Sequence, residues 1–259
     1  MPSSLAENAL KRSLFRTRQH VYRVYHRVAR VNYEHELFSR RNRTPAGSFR
    51  CYEPINRHGD DPMLEELAVC CGPSDVVYDV GANVGIYALA LASSAPERRI
   101  VAIEPAPQTA ERLQANVACN GLEDRIDVHA CGLGEGRGER SFYRSSNPEL
   151  SAFDRESATR WGATLEDTHQ VPVRRLDDLA TELEPPDVLK VDVEGAAPDV
   201  LRGGRETLET HRPKLFLEIH EDGLTRDVPG ELRKLLVDLP YTVLEREGYW
   251  RCDPEPRGV

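Results

Sequence analysis

Apolar residues keep one period up to about residue 38 and another after residue 63. Leu10, Leu14, Val21, Val24, Val28 and Val31 fall at spacings of three, four and seven, the seam of an amphipathic helix. Arg12, Arg16, Arg23, Arg27 and Arg30 occupy its other side. The pattern predicts a basic helix over residues 5–38. Residues 40–62 carry Pro45, Gly47, Pro54, Gly59 and Pro62, which predicts an irregular connector.

From residue 63 onward short apolar runs alternate with helical patterns. A helix over 63–71 stops at Gly72-Pro73. Strands over 76–80, 99–103 and 126–130 are separated by helices over 85–94 and 108–120, the second closed by Gly121. This rhythm predicts a parallel sheet covered on both faces. Residues 132–169 are less regular, with a short strand over 140–143 and a polar stretch over 145–168 that isolates Phe153 and Trp161. An insertion of that kind reads as a substrate loop or lid. A strand over 170–173 and a helix over 176–183 follow, then strand 188–191, helix 198–211, strand 214–219 and helix 230–239. Two last strands, 241–245 and 249–252, meet at a tight turn, Glu247-Gly248, so the final strand runs antiparallel to its neighbour. The whole is a doubly wound, mostly parallel, seven-stranded α/β sheet behind an N-terminal helical extension. The expected boundary puts the extension and connector at 1–62 and the α/β domain at 63–259.

Charge is uneven along the chain. Residues 1–50 carry 11 Lys/Arg against 3 Asp/Glu, a net of +8, and the remainder 23 against 40, a net of −17, giving −9 in all. An acidic body repels nucleic acid. The basic helix suits a peripheral membrane contact, an acidic partner, a second subunit or its own domain. Only four of the 34 basic residues are lysines. Cys51, Cys70, Cys71, Cys119, Cys131 and Cys252 form no C-x-x-C pair and lie beside no His cluster, so neither a zinc site nor a disulfide framework is expected. No apolar run reaches the roughly 20 residues of a membrane span, and the first residues lack a signal-peptide core. The chain reads as cytoplasmic.

The first strand of the α/β domain runs into Asp79-Val-Gly-Ala-Asn-Val-Gly85. Gly81 and Gly85 permit a tight turn and close approach to a ligand. A dinucleotide loop would show G-x-G-x-x-G, whereas this one has G-x-x-x-G with Asn83 inside it and Asp79 leading it. A carboxylate suits a cationic amino group better than a pyrophosphate, which favours S-adenosylmethionine over NAD. Glu104, at the end of the second strand, is placed to accept both ribose hydroxyls. The adenine is expected near the end of the third strand, where Asp127 and Cys131 are candidates.

Three segments together resemble the FkbM family of methyltransferases: Asp79–Gly85; Glu104-Pro105 followed by Asn116 and Asn120; and Lys190-Val-Asp-Val-Glu-Gly195. Glu218-Ile-His220 agrees, and Ser151 matches a serine-containing stretch loosely. The resemblance covers about 76–220 and leaves 1–62 outside. It implies a class I, Rossmann-like methyltransferase fold, for which the closing hairpin is fitting, and O-methylation of a sugar or metabolite hydroxyl by S-adenosylmethionine. No N-P-P-Y/F motif follows the fourth strand; Asn147-Pro148-Glu149-Leu150 comes too early and lacks the aromatic, which disfavours a nucleobase amine as acceptor.

Transfer from a sulfonium needs alignment and a base for the hydroxyl proton. Asp192 and Glu194 lie just past the fourth strand and His220 ends the fifth, where open sheets collect ligands. Asp192 is base or metal ligand, Glu194 orients substrate or metal or else caps the next helix, and His220 is the alternative base. Lys190 is read as a buried strand residue paired to a carboxylate. No dedicated metal site is assigned. Methylation of RNA or protein, or a non-catalytic module that binds S-adenosylmethionine, are the other readings.

Overall fold

The structure is a computed structural model and describes residues 24–220 and 226–256. The predicted helix over 5–38 lies partly outside these; its described part, α1, is helical over 24–35. The face it buries is not the valine seam. Ala29, Asn32 and Tyr33 are buried, whereas Val24, Val28 and Val31 are 48%, 53% and 45% exposed. Hydrogen bonds select the buried face: the Asn32 amide donates to the Phe38 carbonyl (2.8 Å) and the Tyr52 carbonyl (2.5 Å).

The stretch expected to be irregular contains a hairpin, β1 (Arg40–Arg43) and β2 (Ser48–Cys51). Phe49 and Cys51 enter the main core, and the β2 backbone is tied to helix α4 (Pro107–Asn120). Arg50 N donates to Asn120 Oδ1 at 2.7 Å, and Tyr52 N, just beyond the strand, to Asn116 Oδ1 at 3.0 Å. Prolines and glycines mark turns, but side-chain amides 70 residues away supply the partners that make this segment regular.

The α/β body follows as α2 (Pro62–Cys70), β3 (Val76–Val80), α3 (Ile86–Ser94), β4 (Arg99–Ile103), α4, β5 (Ile126–His129) and β6 (Gly132–Leu133). Next come β7 (Gly138–Ser145), α5 (Arg155–Thr159), β8 (Leu165–Arg174), α6 (Leu176–Glu182) and β9 (Val188–Val191). The chain closes with α7 (Ala197–Gly203), α8 (Arg205–Thr210), β10 (Lys214–Glu218), α9 (Val228–Val237), β11 (Tyr241–Arg246) and β12 (Tyr249–Pro254). Seven strands form one sheet in the order β11-β12-β10-β9-β3-β4-β5. β12 is antiparallel to both its neighbours and the other pairs are parallel.

Alternation along β3 divides the core. Val77 faces a cluster with Leu64, Leu89, Leu113 and Phe216, while Tyr78 and Val80 face one with Leu189, Leu201 and Leu217. Both faces are covered, so all five β3 residues are buried. The helix predicted over 198–211 is two, α7 and α8. A Cβ at Gly203 would meet the Gly134 carbonyl oxygen at 2.0 Å and one at Gly204 the Leu176 side chain at 2.4 Å, so close packing sets the break. The irregular middle is more ordered than its pattern implies: β7 and β8 pair antiparallel and β6 joins β8 in a second, three-stranded sheet. Among the described residues, no helix is long and apolar enough to cross a membrane.

Candidate active site

A cavity of about 1230 Å³ opens at the carboxyl ends of β3, β4, β9 and β10. Residues of α1, the segment after β2 and the β7–β8 insertion border it as well. Gly81, Asn83, Glu104, Asp192, Glu194 and His220 all face it; Asp79, Gly85 and Cys131 do not.

Asp79 is displaced from its expected task by register. β3 and β9 are adjacent and parallel, with Asp79 opposite Lys190. The Lys190 ammonium lies 2.9 Å from the Asp79 carboxylate and donates to the Gly81 carbonyl at 3.1 Å. Both residues are almost wholly buried, at 1% and 2% exposure. Burial works against the Lys190 charge, but Asp79 and Asp192 outweigh it and hold the ammonium above its usual range. The pair braces the loop from beneath. Cys131 packs in the second core cluster, and Asp127 pairs with His129 at 2.9 Å.

The loop glycines answer to packing within the protein. Gly81 has φ +76°, and a Cβ there would stand 1.8 Å from the Asp192 carbonyl oxygen. Gly85 has φ +89°, and its Cβ would strike the Leu113 side chain at 2.1 Å. Asn83 takes the left-handed region too, at φ +51°, and its N–H donates to Glu104 Oε2 at 3.0 Å. Glu104 Oε1 accepts from Ala106 N at 2.9 Å. Burial, only partly offset by these N–H groups, pushes the Glu104 carboxyl up to about 7. Each oxygen keeps a lone pair for a further donor.

A second group of charges lines the β9 and β10 ends. His220 Nε2 is hydrogen-bonded to Asp192 Oδ1 at 3.1 Å, and His220 Nδ1 lies 3.6 Å from Glu194. Lys190 reaches Asp192 at 3.6 Å. Glu194 is paired with the buried Arg160 guanidinium from the insertion. It does not cap α7, whose cap position is Ala196. Burial opposes ionisation of Asp192, yet Lys190 and then His220 hold it well below the usual carboxylate range. Burial also opposes the His220 charge, but Asp192 and Glu194 raise the imidazole to about 9. Glu194 itself is raised, mainly by burial.

Sequence reasoning missed three participants. Glu218, at the end of β10, brings a carboxylate oxygen within 4.8 Å of Asp192 and His220, and burial followed by the Asp192 charge pushes it to about 8. Arg160 stood in an unassigned polar stretch. The third is a relay beside Lys190, whose ammonium stands 5.0 Å from the Tyr87 ring centre: Tyr87 donates to Asp61 at 2.8 Å, and Asp61 shares a 2.8 Å bond with His58 Nδ1. The Glu of Glu218-Ile-His220 and the His58-x-x-Asp61 spacing were the available signals. Asp192, Glu218 and His220 offer ligand atoms within 4.8 Å of one another, so this corner could also accept a cation.

This sheet order, with a charged cavity at the parallel strands' carboxyl ends, defines a class I, Rossmann-like methyltransferase fold. The methyltransferase FkbM domain model matches residues 79–249, and the chain belongs to that family. The AMB antimetabolite synthetase AmbE of Pseudomonas aeruginosa is 31% identical over 211 residues, 68% of this chain and 10% of that protein. The 2-O-methyltransferase NoeI of Sinorhizobium fredii is 31% identical over 153 residues, 54% of this chain and 61% of that one. The chain thus spans less than two thirds of each of these relatives. Among solved structures, the methyltransferase FkbM from Methylobacillus flagellatus is 18% identical, with 73% of this chain and 52% of that one covered and a TM-score of 0.49.

Proposed function

We propose that the protein transfers a methyl group from S-adenosylmethionine to a hydroxyl oxygen of a sugar, glycan or small metabolite. The observation that carries this is that one cavity is lined both by Glu104 and by the His220–Asp192 pair. NoeI, by its name a 2-O-methyltransferase, supports an oxygen acceptor.

The donor set fits the cofactor. Glu104 is a buried carboxylate facing the cavity with two backbone N–H partners, and a ribose diol supplies the two donors it still accepts. Gly81 and Asn83 border the same space, and Lys190 holds the Gly81 carbonyl in place. When bound, S-adenosylmethionine brings a methyl group already activated on a sulfonium. The protein's work is alignment and proton removal. His220 takes the hydroxyl proton. Asp192 fixes its ring through Nε2, and Arg160 fixes Glu194 beside Nδ1. In the free protein His220 holds its proton up to about pH 9, so the base form grows with pH and turnover rises with it.

The experiment pairs calorimetry with labelled donor offered to fractionated glycans, lipids and RNA. Glu104→Gln is expected to weaken donor binding. His220→Gln is expected to bind the donor normally and to lose at least about 100-fold in turnover. Wild-type turnover in His220→Gln would remove it as the base, and failure of the native protein to bind the donor would remove the whole reading.

A further inference from the structure

Exposed apolar side chains gather in one region of the molecule. Of the nine large apolar residues that stand exposed among the described residues, Val24, Val28, Val31, Leu37, Phe38 and Ile55 all fall within 24–55, so the exposure is a patch and not scatter. Val24, Val28 and Val31, spaced four and three apart, form one stripe along α1. The chain after the helix continues it. Leu37 and Phe38, each 67% exposed, join Val28, Val31 and Pro54 in lining a groove of about 730 Å³. Asn32 fixes this corner: its side chain accepts from the Phe38 N–H and donates to the Phe38 carbonyl, both at 2.8 Å, and the Phe38 ring stays outside.

Arg27 and Arg40 line the same groove, and no acidic residue does. Arg40 is set in place by a 2.7 Å bond to the Pro54 carbonyl. Residues 24–57 carry seven arginines against Glu34, Glu36 and Glu53, a net of +4, whereas residues 58–259 carry 22 Lys/Arg against 39 Asp/Glu, a net of −17. The three acids of the basic stretch are themselves engaged. The Tyr25 hydroxyl donates to Glu53, the Tyr52 hydroxyl donates to Glu36 at 3.3 Å, and Glu34 lies 4.0 Å from Arg30.

We propose that the face made by Val28, Val31, Leu37 and Phe38 with Arg27 and Arg40 docks on an anionic lipid bilayer. The apolar side chains enter the boundary between headgroups and acyl chains, and the arginines meet lipid phosphates. This is independent of the methyl-transfer reading. An apolar stripe flanked by arginines is what an interfacial helix presents, because the arginine stems lie along the apolar layer while the guanidinium groups reach the anionic headgroups. Charge selects this face: the same bilayer repels the acidic body and attracts the stretch of net +4. A second copy fits less well, since a two-fold pairing sets one arginine-bearing groove against another. In the sequence the seam continues through Leu10, Leu14 and Val21 with Arg12, Arg16 and Arg23 beside it, outside the described residues, so the chemistry of the face extends upstream. Arg27 borders the active-site cavity as well as the groove, so the docking face adjoins that cavity.

The test uses the full chain and sedimentation with vesicles of phosphatidylcholine, alone or with about 30% phosphatidylglycerol. Affinity for the anionic vesicles should be at least about tenfold the higher, and the preference should shrink in about 0.5 M salt. Leu37→Ser/Phe38→Ser should lower the affinity for anionic vesicles at least about tenfold while the urea midpoint stays at the wild-type value. Where that midpoint falls, Val28→Ser/Val31→Ser takes its place with the same expected loss of binding. Val69→Ser, at an 82% exposed position outside the groove, is the control and should change nothing. Equal binding to both kinds of vesicle, or to neither, overturns the proposal. Undiminished anionic binding by the serine variants assigns it to the segment before Val24 and overturns it too. Sedimentation equilibrium without vesicles tests the other occupant: a wild-type dimer that the same variants turn into a monomer means that a second copy covers the face, and the proposal falls.

Discussion

Lys190 is the residue on which the cofactor loop rests. It neutralises Asp79, reaches Asp192 and carries the Gly81 carbonyl. Lys190→Met removes one partner of a buried pair and leaves Asp79 uncompensated, at a cost of about 3–5 kcal/mol. The Lys190→Met/Asp79→Asn double variant should regain a good part of that. Urea denaturation of both variants checks it; equal losses would mean the pair is not coupled. His220 and Glu218 make stability depend on pH on the alkaline side. An imidazole raised to about 9 contributes stability that is complete below its unfolded value near 6.5 and is lost as pH climbs through 9. Glu218, raised to about 8, also holds a proton that the unfolded chain releases near 4.5, so it lowers stability in the same direction. Urea midpoints should therefore fall between about pH 6.5 and 9 while turnover rises. Asp192→Asn removes a main cause of the raised His220 and the second, after burial, of the raised Glu218, and should weaken both trends. A midpoint that climbs over that range would contradict the assignment.

At the scale of elements, pattern located almost every strand and helix of the α/β body, because each buries one stripe or one face. What pattern could not show is what a glycine is for. Gly85 and Gly121 both adopt positive φ, +89° and +63°, and both end or begin a helix. A Cβ at Gly121 meets nothing within 4 Å, whereas one at Gly85 strikes Leu113 at 2.1 Å. Gly121→Ala should cost about 1 kcal/mol, the left-handed backbone alone, and Gly85→Ala about 3 kcal/mol or more from strain plus overpacking. Equal losses in thermal denaturation would show that Leu113 yields. The β1–β2 hairpin was illegible for a related reason. Its strands are four residues each, and their order depends on Asn116 and Asn120, residues that sequence inspection ties to the family resemblance but not to residue 50.

For the whole molecule, α1 decides how the cavity is closed. Tyr33 anchors it, accepting from the Asn116 amide at 2.8 Å in a buried contact. Tyr33→Phe leaves that amide donor short of a partner and should cost about 1–2 kcal/mol. Val28→Ser and Val31→Ser, on the exposed side, should stay within about 0.5 kcal/mol. Chemical denaturation orders the three; a large loss at Val28 would mean that the valine seam is buried after all. Anchored in this way, α1 turns Val24, Arg27 and Arg30 toward the cavity and leaves Val28 and Val31 outside it.

By itself the sequence determined the doubly wound sheet with its antiparallel closing strand, the family, and the points where chemistry collects. Those follow from local periodicity and from loop composition at strand ends, both of which a linear text preserves. Tertiary structure decided which groups face one another. Strand register set Asp79 against Lys190 and withdrew it from the cavity. Close packing leaves no room for a side chain at Gly81, beside the Asp192 carbonyl, or at Gly85, beside Leu113. The insertion delivered Arg160 to Glu194, and the N-terminal segments brought Arg27, Arg30 and Arg57 to the cavity. These pairings join residues 30 to 110 positions apart, and a carboxylate's role depends on the charge beside it.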